Sequence, residues 1–183
     1  MRTHDLVIPF FLLCFFHLFS TSTTQASSFY ISGNYQIVEH RLGGNYGNFN
    51  GKGYGFTVGK RWSAFALEGM YGKNDAAESR NFYNQPYAIT LEENYVSAGA
   101  RIFLFKYFNF FAGMGKHNRV ITVPPGCPFQ GEFVLDDSCS GVYLGAGFLY
   151  PMMKGRADLF AQYLLESGCN QKRVVDLGIR VYF

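Results

Sequence analysis

The last eight residues, "DLGIRVYF", set Leu177, Ile179, Val181 and Phe183 against Asp176, Gly178, Arg180 and Tyr182. A period of two sends successive side chains to opposite faces of a strand. The same period recurs in "SFYISGNYQIV", "GYGFTVGKRW", "SAFALEGMYG", "NYVSAGARIFLF", "YFNFFAGMGK", "GVYLGAGFLY" and "RADLFAQYLL". With the terminal segment, that predicts eight strands. Each is about ten residues long, the length of a tilted strand that crosses a bilayer.

Which face looks inward follows from the side chains. One face of each segment carries the bulk, such as Phe29, Phe56, Leu67, Val96, Phe110, Leu144 and Leu159. The other carries small residues, among them Gly55, Gly59, Gly99, Gly113, Gly145 and Gly178, with a few charges. Small residues suit the crowded inside of a narrow barrel, and bulky aromatic ones suit lipid and its interfacial girdles. A soluble lipocalin-like ligand binder would invert both faces. The connections at 62–63, 106 and 151–155 are short, whereas 38–52, 73–86, 116–140 and 165–172 are long. That alternation predicts short periplasmic turns and long extracellular loops. One stretch departs from it: "ITLEEN" puts Glu92 and Asn94 on the bulky face, so either a bulge lies there or the strand has risen above the membrane.

Residues 1–26 are expected to be a cleaved signal peptide. Arg2 precedes an apolar run from Leu6 to Phe19, followed by a small-residue site around Ala26. The barrel domain then occupies 27–183. Export implies an oxidising compartment, and Cys127 and Cys139 bracket the polar stretch "CPFQGEFVLDDSC", so a disulfide between them is expected, with Cys169 left over. Closing such a loop contributes on the order of 3 kcal/mol. No CxxC pair or histidine cluster points to a metal, and nothing points to a cofactor. The formal charge of +3 is too even for a nucleic-acid partner.

The closing segment resembles the C-terminal assembly signal of outer-membrane barrels: Asp176, Gly178, Val181 and the terminal aromatic Phe183. With the eight-segment pattern, the chain resembles small outer-membrane proteins of the OmpX type, the OmpA membrane domain and the opacity-like porin family. The resemblance implies an all-β, up-and-down antiparallel transmembrane barrel in a Gram-negative outer membrane, inserted by the barrel-assembly machinery. It implies roles in envelope integrity or in surface interaction with host molecules.

Glu68, Arg101, Asp158, Asp176 and Arg180 fall on inward faces. Charges inside so narrow a barrel must pair or cost several kcal/mol each, so an interior ion-pair network that plugs the lumen is expected. A gate in a narrow porin-like channel is the alternative. Tyr30, Tyr95, Phe103, Phe111, Tyr143, Phe160 and Tyr182 also point inward and favour a filled interior. A lipid-modifying enzyme is the less favoured reading: His40 and His117 stand at loop bases without the His-x-Ser of lipid A deacylases, and no GxSxG occurs. Loop-base histidines are ordinarily solvated. Lys116, Arg119, Lys172 and Arg173 are placed to meet lipopolysaccharide phosphates beside the outer-membrane lipids. In the long 116–140 loop, Val120, Ile121, Val123, Phe129, Phe133 and Leu135 offer either a contact surface or packing on the barrel rim.

Overall fold

The computed structural model describes residues 27–42, 47–82, 85–104, 107–126, 136–168 and 171–183. Eight antiparallel strands close into one up-and-down barrel. They are β1 (Ser28–Leu42), β2 (Gly47–Trp62), β3 (Phe65–Phe82), β4 (Gln85–Leu104), β5 (Phe108–Thr122), β6 (Asp136–Met152), β7 (Ala157–Ser167) and β8 (Gln171–Tyr182). A single 3-10 turn, Met153–Gly155, joins β6 to β7. The last strand pairs with the first, from Tyr30 opposite Tyr182 to Arg41 opposite Gln171. The Phe183 amide donates to the Phe29 carbonyl at 2.8 Å, so the ladder is paired to its last residue.

The stagger of the barrel can be read from its partners. Stepping across the pairs from Tyr30 through Gly59, Glu68, Gly99, Gly113, Tyr143, Glu166 and Lys172 returns to β1 at His40. That is a shear of about ten residues, which for eight strands tilts them about 40° from the axis. A lumen of this size holds side chains and little else.

The outer wall is apolar over a band bounded by the segments 29–37, 54–62, 65–71, 96–104, 108–114, 142–150, 159–165 and 175–183. Phe29, Tyr54, Leu67, Val96, Phe110, Leu144, Leu177 and Ile179 are among its exposed residues. At the tilt above, the band is about 20 Å tall, close to the apolar belt of a membrane barrel. Aromatic contacts mark its lower edge, nearest the termini: Trp62 stacks on Phe65 and Phe108 meets Phe148 edge-on.

The strands are longer than ten residues because they continue above this band. Most of the stretches expected as loops at 38–52, 73–86 and 165–172 are paired strand. The β3–β4 ladder runs without a break from Phe65–Ile102 to Phe82–Gln85, so no bulge disturbs "ITLEEN". That strand has left the membrane, with Glu92 and Asn94 facing water and Leu91 and Glu93 turned inward. Of the expected 116–140 loop, 116–122 and 136–140 are paired strand. Val120 faces outward, whereas Ile121 is buried inside; Phe129, Phe133 and Leu135 lie outside the described residues. Residues 1–26, expected as the signal peptide, lie outside them too. Cys139 is disulfide-bonded; Cys127, its expected partner, and Cys169 are outside the described residues.

Interior glycines make room for the interior aromatic rings. A Cβ on Gly72 would lie 2.4 Å from the Tyr95 ring on its paired strand. That ring cannot swing clear, because its hydroxyl is bonded to Gln36. Overpacking of this kind costs about 1–3 kcal/mol. Gly72→Ala is therefore expected to lower the urea midpoint of the detergent-folded protein by that equivalent, while an alanine at Gly69, whose Cβ would meet nothing within 4 Å, leaves it unchanged.

Candidate functional site

The interior is stratified. Nearest the termini lies an apolar layer of Tyr30, Ala66, Phe103, Leu149 and Phe160, with Tyr182 against it. Val38, Met70, Tyr95, Phe111, Tyr143, Leu164 and Val174 form a second apolar cluster at mid-height. Phe49, Ala76, Ile89, Leu91 and Ile121 form a third at the far end, with Val123 packed on it. Two polar clusters occupy the spaces between.

The lower cluster lies within the lipid band. Arg101 clasps Glu68 through two bonds, Nε to Oε1 at 2.5 Å and Nη2 to Oε2 at 2.8 Å. Its Nη1 donates to Asn109 and, at 2.8 Å, to Gln162. Tyr30 also donates to Glu68, and Arg180 stands 3.8 Å from the same carboxylate. The Arg180 guanidinium is boxed by the rings of Tyr30, Phe160 and Phe103, at 4.6, 5.3 and 5.6 Å. Asp176 joins this group through neutral amides rather than a cation, accepting from Gln162 at 2.6 Å and Gln36 at 2.8 Å. Asp158 accepts at 2.5 Å from Tyr182, whose ring lies 5.6 Å from that of Tyr30. Of the predicted charges, then, Glu68, Arg101 and Arg180 form one cluster; Asp176 is linked to it at second hand through Gln162, and Asp158 through Tyr182, which also meets Arg180.

The upper cluster lies just beyond the lipid band and centres on Glu93. That carboxylate receives Lys172, Asn74 at 2.9 Å and His117 Nδ1 at 2.9 Å. Arg119 and His40 approach to 3.6 and 3.8 Å. His117 is fully buried, stacked between the rings of Tyr95 and Tyr143 at 5.7 and 5.5 Å. Its Nε2 faces the Tyr143 hydroxyl at 2.8 Å and Glu166 Oε1 at 3.1 Å. Arg119 Nη2 donates to the Cys139 sulfur at 2.7 Å, linking the cluster to the disulfide.

Burial and charge set the protonation states here. Burial by itself would raise Glu93, but the Lys172 ammonium and the bond from His117 hold it well below the usual carboxylate range. Glu166 is raised by burial, only partly opposed by Lys172 and His117. Burial lowers His40 to about 3, against the pull of Glu93 and with Lys172, Arg119 and His117 adding to the fall.

Several expectations change here. His40 and His117 are not solvated loop-base residues but inward strand residues, 2% and 0% exposed. Arg119 and Lys172 point into the barrel and cannot reach a lipid phosphate, while Lys116 and Arg173 remain on the outer wall. The upper cluster itself went unpredicted because its strands carry water-facing polar residues and read as loop. The signal was present: Glu93, His117, Glu166 and Lys172 share the inward parity of their strands.

No protein-family model matches the chain, and no curated protein matches it in sequence. Solved structures do match in fold. Neisserial surface protein A, 16% identical, superposes with a TM-score of 0.52 over 87% of this chain and 100% of its own. Ail of Yersinia pestis, solved in complex with the heparin analogue sucrose octasulfate, is 14% identical with a TM-score of 0.51, covering 86% and 97%. OprG of Pseudomonas aeruginosa gives 12% and 0.54, covering 87% and 97%. The chain has the fold of small eight-stranded outer-membrane β-barrels.

Two tests follow from the clusters. Glu68→Leu leaves two buried guanidinium groups without a carboxylate, whereas Arg101→Leu leaves Glu68 its approach to Arg180. A loss of about 3–5 kcal/mol is expected for the first and less for the second; urea midpoints in the reverse order would contradict the shared network. For His40, the unfolded ring takes up its proton near pH 6.5 and the folded one near 3. Stability from the neutral buried ring is thus complete above about pH 6.5 and erodes as pH falls toward 3. Urea midpoints of the wild type should fall over that window, and His40→Gln should flatten the slope.

Proposed function

We propose that this chain is an integral outer-membrane barrel, non-enzymatic and non-conducting, that acts through the surface it presents above the membrane. The observation that carries this reading is the stratified interior: three apolar layers alternate with two cross-linked polar ones, and a water file would have to breach each. An ion gate needs a path beside the charges. In the lower cluster Arg101 alone bridges Glu68, Asn109 and Gln162 across the lumen. The upper histidine has an acid beside it, as a catalytic base would. However, His117 and Glu93 are sealed from substrate at 0% and 1% exposure.

Surface interaction is supported by the outer wall. Lys52, Lys73, Lys116 and Arg173 project outward where the apolar band ends. Lys73 is shared with Asp75 and Glu92, and Arg173 with Glu39. Cations at that height meet anionic headgroups, lipopolysaccharide phosphates among them. Ail, of the same fold, has been seen with a sulfated heparin analogue; anionic glycans of a host surface are a partner class for this chain on the same chemistry. Residues 1–26 serve as the export signal, and β8, with Val181 on the lipid face and Phe183 just past its end, serves as the strand read by the barrel-assembly machinery.

The test is reconstitution. Protein that migrates faster in SDS before boiling than after is a closed, folded barrel. Such protein, fused into planar bilayers, is expected to give no unitary current steps. Steps that vanish in Arg101→Ala would establish the narrow channel instead.

A further inference from the structure

We infer that Glu93, His117 and Glu166, with His40 alongside, form a buried binding site for a divalent transition metal of the zinc class. The three come from three strands, β4, β5 and β7, and each offers a ligand atom within 4.8 Å of the others. Tetrahedral zinc with bonds of about 2.1 Å separates its ligands by about 3.4 Å; because His117 now meets Glu93 through Nδ1 and Glu166 through Nε2, one zinc takes a single ring nitrogen and the carboxylate on the other nitrogen has to swing round to join it. One imidazole with two carboxylates is a donor set that zinc accepts.

A second observation points the same way. Among the described residues, Glu166 Oε2 and His40 Nε2 have no hydrogen-bond partner, in residues only 4% and 2% exposed. Unsatisfied polar atoms at such depth forfeit the hydrogen bonds they made to water, and a metal would satisfy both kinds at once. His40 Nε2 lies 3.8 Å from Glu93 Oε2, within reach of a fourth ligand position.

The cluster already holds one cation, and that sets the terms of binding. The Lys172 ammonium sits on Glu93 and over the Tyr95 ring at 4.3 Å. Lys172 and Arg119 balance the two glutamates, so an entering divalent cation has to displace the ammonium from Glu93. The lysine acts as an internal competitor. The apolar layer of Phe49, Ile89, Leu91 and Ile121 covers the cluster from above, so metal enters during folding or when that layer opens.

The experiment is to refold the protein into detergent with Zn2+, desalt it and count zinc per chain, taking the heat-dependent gel shift as the check on folding. One zinc per chain is expected. Glu166→Gln and His117→Gln should each weaken binding about 10–100-fold, and Lys172→Met should strengthen it about tenfold or more. Co2+ in place of zinc should give visible d–d bands without a thiolate charge-transfer band, which separates this site from the cysteines. Glu166→Gln removes an oxygen with no partner, so it keeps the test open should His117→Gln fail to fold. Absence of stoichiometric zinc in the folded wild type, zinc retained unchanged in Glu166→Gln, or a thiolate band with Co2+ would each overturn the assignment.

Discussion

Closing eight strands with a stagger of about ten residues fixes a lumen that only side chains can fill, and the rest of the structure follows from that width. Opposite walls are close enough that every inward residue meets another, so the inward positions cannot be chosen strand by strand. Where a ring projects inward, its cross-strand partner is repeatedly glycine: Tyr30 opposite Gly59, Tyr95 opposite Gly72, Phe160 opposite Gly178. The glycines do not loosen these strands. Each leaves space for a ring that holds the wall beside it.

The same width governs the charges. An ion in so narrow a lumen has to find its partners among the facing side chains, since burying it unpaired costs several kcal/mol. The two polar clusters meet this demand differently. In the lower one, surrounded by lipid, one carboxylate serves two guanidinium groups, and the excess positive charge is spread over aromatic faces. In the upper one, beyond the lipid band, a single carboxylate gathers lysine, arginine, asparagine and two histidines. Glu93 thereby does for the top of the barrel what Glu68 does for the bottom.

Much of the wall was legible from the period of two together with side-chain bulk, since lipid makes the outward residues apolar and a narrow lumen makes the inward ones small or polar. Phe56 against Gly55, and Leu177 against Asp176, could hardly be assigned otherwise. The period failed at the membrane boundary for a physical reason. Above the lipid band, water replaces lipid outside, and the rule inverts: Thr90, Glu92 and Asn94 face out while Ile89 and Leu91 face in. The parity of the strand is unbroken, but the hydrophobicity attached to each parity changes sign. Read with the membrane rule, "ITLEEN" is an anomaly; read with the water rule, it is an ordinary half-buried strand. The buried histidines were lost to the same inversion, because a histidine beside water-facing lysine and asparagine reads as loop.

That inversion also explains where the upper cluster sits. Just above the lipid edge the outward face turns polar, yet the inward apolar layer of Phe49, Ile89, Leu91 and Ile121 lies still higher. Between the two lies a slab of barrel whose outside is polar and whose inside is bounded by apolar clusters above and below. Glu93, His117 and Lys172 occupy that slab. They are isolated from solvent by the cap rather than by lipid, so their environment depends on the packing of a few side chains above the membrane. A change that opens the cap therefore reaches the buried charges directly, while the lipid-embedded lower cluster stays closed beneath the mid-height apolar layer. The upper rim is thus the part of the interior that lies nearest to water outside the lipid band.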